Sequence, residues 1–350
     1  MKWFNTNDIK KYSPITIDNL HGYVLPHAGT KFTGNILSHS LRFRPKKKFK
    51  YILIIYYPAY EKPNVMGKYF HEYYVLENTL KKFFKNKIFI GYNLLAKQKP
   101  DIRKLDKNNT LFVVSADFSH FLPTQKAIKL ENCSAHALMH NHIDLRCTQV
   151  VDHIESFKKL YSIVPSSWVL QWVGRTRSPG IQGVGYLSFL LRERPKVSLK
   201  KPDGFFVTAY DIEMRQRECL GNTTKWSRKL EKNLIKDVLS KARVTSRLTE
   251  GMYTDVPVKH YSVTYLYKDS SKNFIRGWHA IQKDALYLPD VFLENTYDNG
   301  MWIKRSDKQW KRGNHFNLNH TFKKLQQKSG RNSNNTDYQL YYSEVSHRKV

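Results

Sequence analysis

The sequence predicts two joined domains, an α/β sandwich followed by an α+β domain. Three observations carry this expectation. Up to about residue 191, short apolar runs of strand length alternate with helical repeats, the pattern of a sheet covered by helices. The stretch RERPKVSLKKPDG at 192–204 then breaks both periodicities with prolines and charges. Beyond it, strands and helices no longer alternate regularly. The predicted boundaries are 1–195 for the first domain, 196–203 for a basic linker and 204–350 for the second, with 299–320 as an inserted loop.

The elements follow in order. Tyr51–Tyr57 (YILIIYY) is an unbroken apolar run, as in a central strand covered on both faces. Tyr73, Leu76, Leu80, Phe83 and Phe84 recur at helical spacing, so 72–86 reads as an amphipathic helix. Ile88–Gly91 and Leu111–Val114 are strand candidates, 124–141 a helix, and Gly183–Leu191 a buried strand. After the linker come a strand at Phe205–Tyr210 and a helix over 225–241, where Trp226, Leu230, Leu234 and Val238 repeat every fourth residue. Tyr261–Tyr267 has the β-branched and aromatic bias of a strand, and Leu286–Val291 ends another. GRNSNNTD at 330–337 reads as a turn or loop.

With 350 residues, 41% hydrophobic and 25% charged, the chain fits two soluble globular domains and not wholesale disorder. Its three cysteines form no CxxC pair, which argues against a disulfide scaffold and a zinc ribbon and fits a reducing compartment. The first residues lack the apolar core of a signal peptide, and the run at Tyr51 is too short to span a bilayer. The expectation is an intracellular protein, cytoplasmic or nuclear, without a transmembrane segment. Lysine and asparagine richness suits a large DNA virus or an AT-rich eukaryote, with a virus-infected host cell as one setting.

The formal net charge is +30. Its functional reading is attraction to polyanions, nucleic acid among them. The lysines are spread along the chain, at 45–50, 81–87 and 323–328, and the favoured reading is compositional drift.

Four motifs occur in order in the first domain. Pro26 and His27-Ala28-Gly29-Thr30-Lys31-Phe32-Thr33-Gly34 place a histidine at a tight turn among small residues, where Gly29 and Gly34 permit close backbone approach. Ile54–Tyr60 (IIYYPAY), Val113–His120 (VVSADFSH) and Trp172-Val173-Gly174-Arg175 follow. Together they resemble the Memo family's PHAGYxYSG, GPSH, VVSSDFSH and Cys-Gly-Arg elements. Phe70–Leu80 weakly resembles that family's EHSIExxLP helix, with His71 the best match.

The resemblance implies a fold like that of class III extradiol dioxygenases and a metal, iron or copper, held by two histidines and a cysteine. Carried over residue by residue, the first histidine is His27, the second becomes Tyr60, and the cysteine becomes Val173. Valine has no donor atom, and tyrosine is longer, with a pKa near 10. The resemblance places Asp117 and His120 near the pocket, where a carboxylate orients a histidine or acts as a base. Two readings stand: a remodelled site of His27 and His120 with Tyr60 or Asp117, or a degenerate one. The second is favoured because two donors are lost.

The cluster His136-Ala137-Leu138-Met139-His140-Asn141-His142 puts two histidines one helical turn apart, but no glutamate follows His136 as a zinc protease requires. An exposed helix end is the favoured reading. Neither Cys133 nor Cys147 has a base partner in sequence to make it a nucleophile.

In the second domain, Gly204–Thr208 (GFFVT) and Arg217-Glu218-Cys219-Leu220-Gly221 resemble the AMMECR family's GVFVT and LRGCIG. Gly277–Ile281, Leu288–Val291 and Phe322–Gly330 resemble its GxHGI, LPQV and final helix. Glu218 replaces a glycine there, at a cost of about 1 kcal/mol if the position needs positive φ. Cys219 reads as a small buried packing residue. The AMMECR family carries no firmly established chemistry. The resemblance implies a pathway shared with radical SAM proteins, although this chain has no CxxxCxxC cluster. The leading expectation is a divergent Memo–AMMECR fusion acting as a binding or scaffold protein, with a protein or small-molecule partner. An iron- or copper-dependent oxidoreductase is the alternative, and a basic nucleic-acid-binding protein the second alternative.

Overall fold

The computed structural model describes residues 3–58, 70–143, 146–180, 182–194, 201–211, 216–222, 226–244 and 257–268, then 279–282, 285–287, 304–306, 309–310, 323–324, 327 and 339–350. The chain divides into two compact units, one of residues 1–143, 148–194 and 297–317 and the other of residues 144–147, 195–296 and 318–350. Each has its own sheet and helix, so the protein is mixed α/β.

The first unit opens with β1 (Ile15–Ile17), β2 (Leu20–Leu25), α1 (Thr30–Ser40), β3 (Phe43–Pro45) and β4 (Tyr51–Tyr56). Next come α2 (His71–Phe83), β5 (Ile88–Asn93), β6 (Thr110–Ser115), α3 (Thr124–Met139), α4 (Glu155–Ile163), β7 (Trp168–Arg177) and β8 (Gly185–Glu193). Six strands form one sheet in the order β5-β4-β6-β2-β8-β7, while β1 and β3 pair apart from it. β5, β4, β6 and β2 run parallel, and β8 and β7 complete the sheet antiparallel. In β4, Ile52, Leu53, Ile54 and Ile55 are all fully buried, on both faces of the pleat. Each such side chain contributes about 2 kcal/mol of apolar burial. α2 and α4 pack against β4 and β6, and α1 and α3 against β7 and β8.

One charged network lies inside this unit. Glu131 on α3 accepts from Arg175 Nη2 at 2.7 Å and lies 3.3 Å from Arg177 Nη1, all three side chains being fully buried. Ser119 donates to Glu131, and Arg177 also donates to the carbonyls of Leu122 and Gly183, each at 2.7 Å. The carboxylate reaches so close to the backbone that a Cβ on Gly185 would stand 1.9 Å from its Oε1. Arg175, read from sequence as part of the Trp172-Val173-Gly174-Arg175 motif, thus ties α3 to β7. Close approach also explains Gly34, where a Cβ would meet the Asp8 carbonyl at 2.5 Å.

Two expectations are corrected here. Cys133 and Cys147 are both disulfide-bonded, while Cys219 forms no disulfide, so the lack of CxxC spacing did not exclude a disulfide. His136 and His140 are buried, 9% and 7% exposed, and do not mark an exposed helix end. The last turns of α3 turn inward, with every residue from Ser134 to His140 buried. The two rings lie 4.7 Å apart.

The second unit contains β9 (Gly204–Asp211), β10 (Gln216–Asn222), α5 (Arg228–Val244), β11 (Val258–Lys268), β12 (His279–Gln282) and β13 (Ala285–Tyr287). The short pair β14 (Lys304–Ser306) and β15 (Gln309–Trp310) makes its own ladder and groups with the first unit, and β16 (Gln339–Lys349) is the last strand of the second. The sheet order is β10-β9-β11-β16-β12-β13, with all pairings antiparallel. α5 packs on β9, β10 and β11, burying Val238 and Ala242 against Phe205, Val207, Ala209 and Val263. The alternation Phe205, Val207, Ala209 is the period-two face that a helix-covered antiparallel strand requires. Most of the basic linker, Gly277 and Trp278, Leu288–Val291 and most of 299–320 and 322–330 lie outside the described residues.

Candidate metal centre

Parallel strands β2, β4 and β6 deliver their C-terminal ends to one edge of the first sheet, the usual place for a site in an α/β fold. His27 stands two residues past β2, and Ser115 and Asp117 lie at and just beyond the end of β6. α2 begins on the far side of the β4 connection, with His71 and Glu72 in its first turn. An acidic residue there is favoured by the helix dipole. Glu72 is nonetheless only 1% exposed.

These residues converge. One donor atom each from His27, His71 and Glu72 lie within 4.8 Å of one another. His71 Nδ1 is 3.3 Å from Glu72 Oε2, and the two imidazole rings meet edge to face, 5.4 Å between centroids. Asp117 Oδ1 accepts the main-chain N–H of His27 at 2.9 Å, fixing the turn that presents the ring. Asp117 Oδ2 and Asp152 Oδ2 face His27 Nε2 at 3.8 and 3.5 Å.

The tautomer of His27 follows from its other nitrogen. Ser115 Oγ lies 3.0 Å from His27 Nδ1 and donates its single proton to the carbonyl of Glu72 at 2.8 Å. The hydroxyl therefore accepts from Nδ1–H, and Nε2 points toward the carboxylates. A ring nitrogen facing two carboxylates and a second imidazole is an arrangement that a cation, either a proton or a metal ion, completes.

The surrounding electrostatics agree. Burial holds the His71 imidazole below its usual pKa and the charge of His27 adds to this, against Glu72, Asp117 and Asp152, leaving His71 neutral at pH 7, as a ligand must be. Burial pushes the Asp152 carboxyl up, but the hydrogen bond from His153 and the charges of His27, His153 and His120 outweigh it, so it titrates below the usual range. Burial, then Asp117, raises the phenol of Tyr186.

Asp152 and His153 were not found from sequence. The Asp152 N–H donates to the Asp117 carbonyl at 2.9 Å, which draws this turn onto the site. His153 lies 2.7 Å from Asp152 Oδ1, stacks on Tyr57 at 4.2 Å, and holds φ 55°, a conformation rare outside glycine and common at functional sites. Trp3 stacks on His71 at 5.3 Å and is 44% exposed.

Of the predicted residues, His27 and Asp117 are brought together. His120 is exposed beside Phe121 and stands outside the three-donor group. Tyr60 lies outside the described residues. Val173 is fully buried in β7.

In the second unit, Arg217, Cys219 and Gly221 lie on β10. Arg217 is buried, and Gly221 is required because a Cβ there would meet the Phe206 ring at 2.0 Å. Cys219 is half-buried, not fully as expected, with Thr208 Oγ1 3.3 Å from its sulfur. Glu218 is not among the described residues with positive φ; it sits in extended strand, its Oε1 accepting the Cys219 N–H at 3.0 Å. No family model and no curated protein matches the chain.

Proposed function

We propose that the first unit binds one divalent transition metal through His27, His71 and Glu72, in a Memo-like domain joined to an AMMECR-like one. The sequence favoured a degenerate site because Tyr60 and Val173 stand where donors are expected. The observation that supports a rebuilt site is the three-donor group itself, with His71 and Glu72 entering from α2 beside His27. Two imidazoles and one carboxylate suit iron(II) better than copper, and leave coordination positions open.

A metal so held supplies Lewis acidity and, for iron, access to oxygen chemistry. The protein's own residues do the rest. Ser115 orients His27, Asp117 fixes its backbone, and Asp152 with His153 offers a carboxylate–imidazole pair able to hold a proton beside the site. This arrangement supports a metal-dependent oxidoreductase as the second reading.

Anaerobic equilibrium dialysis of the full chain against iron(II), cobalt(II) and copper(II) tests the proposal. One ion per chain is expected, lost in His27→Ala and in His71→Ala, with both variants folded by circular dichroism. Binding unaffected by either substitution defeats it. No binding at all leaves a protein that acts through partner binding alone.

A further inference from the structure

The opposite end of the same sheet has a different character. Tyr51 of β4 pairs with Ile88 of β5 and Thr110 of β6, so three parallel strands begin in register. The loops entering them, 46–50, 85–87 and 103–109, therefore meet along one edge. Their contacts confirm it: Lys50 N–H donates to the Asn109 carbonyl and Ile88 N–H to the Lys50 carbonyl, each at 3.0 Å. Lys47 Nζ donates to Asn108 Oδ1 at 3.1 Å.

Lysines that are far apart in sequence are thereby gathered on adjacent strands about 5 Å apart. Lys48, Lys50, Lys85 and Lys107 are exposed and have no carboxylate partner among the described residues. The acids at this end are engaged locally. Asp18 pairs with Lys46 at 3.0 Å, and Asp106 Oδ1 accepts the Asn108 N–H at 2.8 Å. The three loops hold nine Lys and Arg side chains and one carboxylate, Asp106, so the edge stays net positive. The metal-site carboxylates lie at the other end of the strands, so they do not neutralise it.

We infer that this strand-entry edge is a docking surface for the phosphate backbone of nucleic acid, read without regard to base sequence. Lysine ammonium groups are point charges suited to phosphate and not to bidentate reading of base edges. Aromatic rings lie between the cations: Lys87 Nζ is 4.5 Å from the Phe49 ring and Lys50 Nζ 5.3 Å from the Tyr51 ring. Basic side chains interleaved with aromatics are how sequence-tolerant nucleic-acid grooves are built. A membrane surface fits less well, because Ile88 is the only large apolar side chain exposed there among the described residues. The +30 charge drives encounter, and this edge fixes where the polyanion settles.

The test compares two charge-matched triple variants of the full chain. Lys48→Glu, Lys50→Glu and Lys107→Glu alter the edge; Lys31→Glu, Lys126→Glu and Lys129→Glu alter exposed lysines on α1 and α3. Binding to a labelled random-sequence duplex of about 30 base pairs is measured by anisotropy across roughly 50–200 mM salt. The edge variant is expected to lose at least about tenfold in affinity, and its log K against log salt slope should flatten by up to about 3. The control variant should change less than about threefold, because steering charge alone is spread over the whole surface. Equal losses in both variants reduce the effect to net charge and overturn the proposal, as does unchanged binding by the edge variant. Vesicles of phosphatidylserine form the last arm: loss of vesicle binding with duplex binding intact assigns the edge to membrane and also overturns it.

Discussion

Ser115 Oγ lies 3.0 Å from Nδ1 of His27 and spends its own proton on the Glu72 carbonyl. One hydroxyl thereby sets the tautomer of one proposed ligand and ties it to the helix turn that carries the other two. Ser115→Ala removes the acceptor while deleting only one oxygen from a buried position. The expected outcome is a 10–100-fold loss of iron(II) or cobalt(II) affinity, the range for lost outer partners of a metal-bound histidine. Calorimetric titration checks it. Unaltered affinity would mean that Ser115 does not orient the ring.

The Glu131 network makes a prediction about stability. Glu131 compensates Arg175 and Arg177 where no water reaches any of the three side chains. Glu131→Gln keeps the shape and removes the buried carboxylate that faces both cations. A loss of about 3–5 kcal/mol is expected, seen as a lower urea midpoint at unchanged m-value. Gly185→Ala should destabilise by a different route, since its Cβ would displace the same carboxylate. The two substitutions share a partner, so their effects should be non-additive in the double variant.

His21 gives a pH signature apart from the proposed site. Its ring stacks on Trp168, 3.7 Å between centroids and 9° from parallel. Burial, then the charge of Lys47, lowers its pKa to about 4. The unfolded chain takes up this proton near pH 6.5, whereas the folded protein does so only near pH 4. The linked stability is complete above pH 6.5 and declines as pH falls toward 4. Partial exposure of the ring damps its size. His21→Phe keeps the stack and removes the proton, so its urea midpoint should fall less steeply than wild type over that window. Parallel profiles for the two proteins would contradict the assignment.

The sequence showed elements wherever one signal was strong and local. The unbroken run at Tyr51 announced a buried central strand, and the repeat from Tyr73 to Phe83 announced α2, because burial on two faces or on one stripe writes itself directly into composition. Boundaries slipped by up to three residues where caps were weak; α2 starts without a side-chain cap at Phe70. The site was harder to read. Glu72 resembles any acidic residue in a first helical turn until the fold buries it. His153 carries positive φ because the Asp152 N–H is tethered to the Asp117 carbonyl, which no local pattern records. His136 and His140 looked like surface residues because polar side chains rarely mark a buried helix face. The basic edge was invisible for a related reason: only parallel strands in register bring residues 48, 85 and 107 together.

The central claim is that His27, His71 and Glu72 hold one metal ion. Its most direct test is anomalous diffraction from crystals of the full chain loaded anaerobically with iron(II) or cobalt(II), recorded at the metal absorption edge. The expected result is a single strong peak about 2.0–2.3 Å from His27 Nε2, a His71 ring nitrogen and a Glu72 carboxylate oxygen. A map with its peak elsewhere, or with no peak from a loaded and folded protein, would contradict the account.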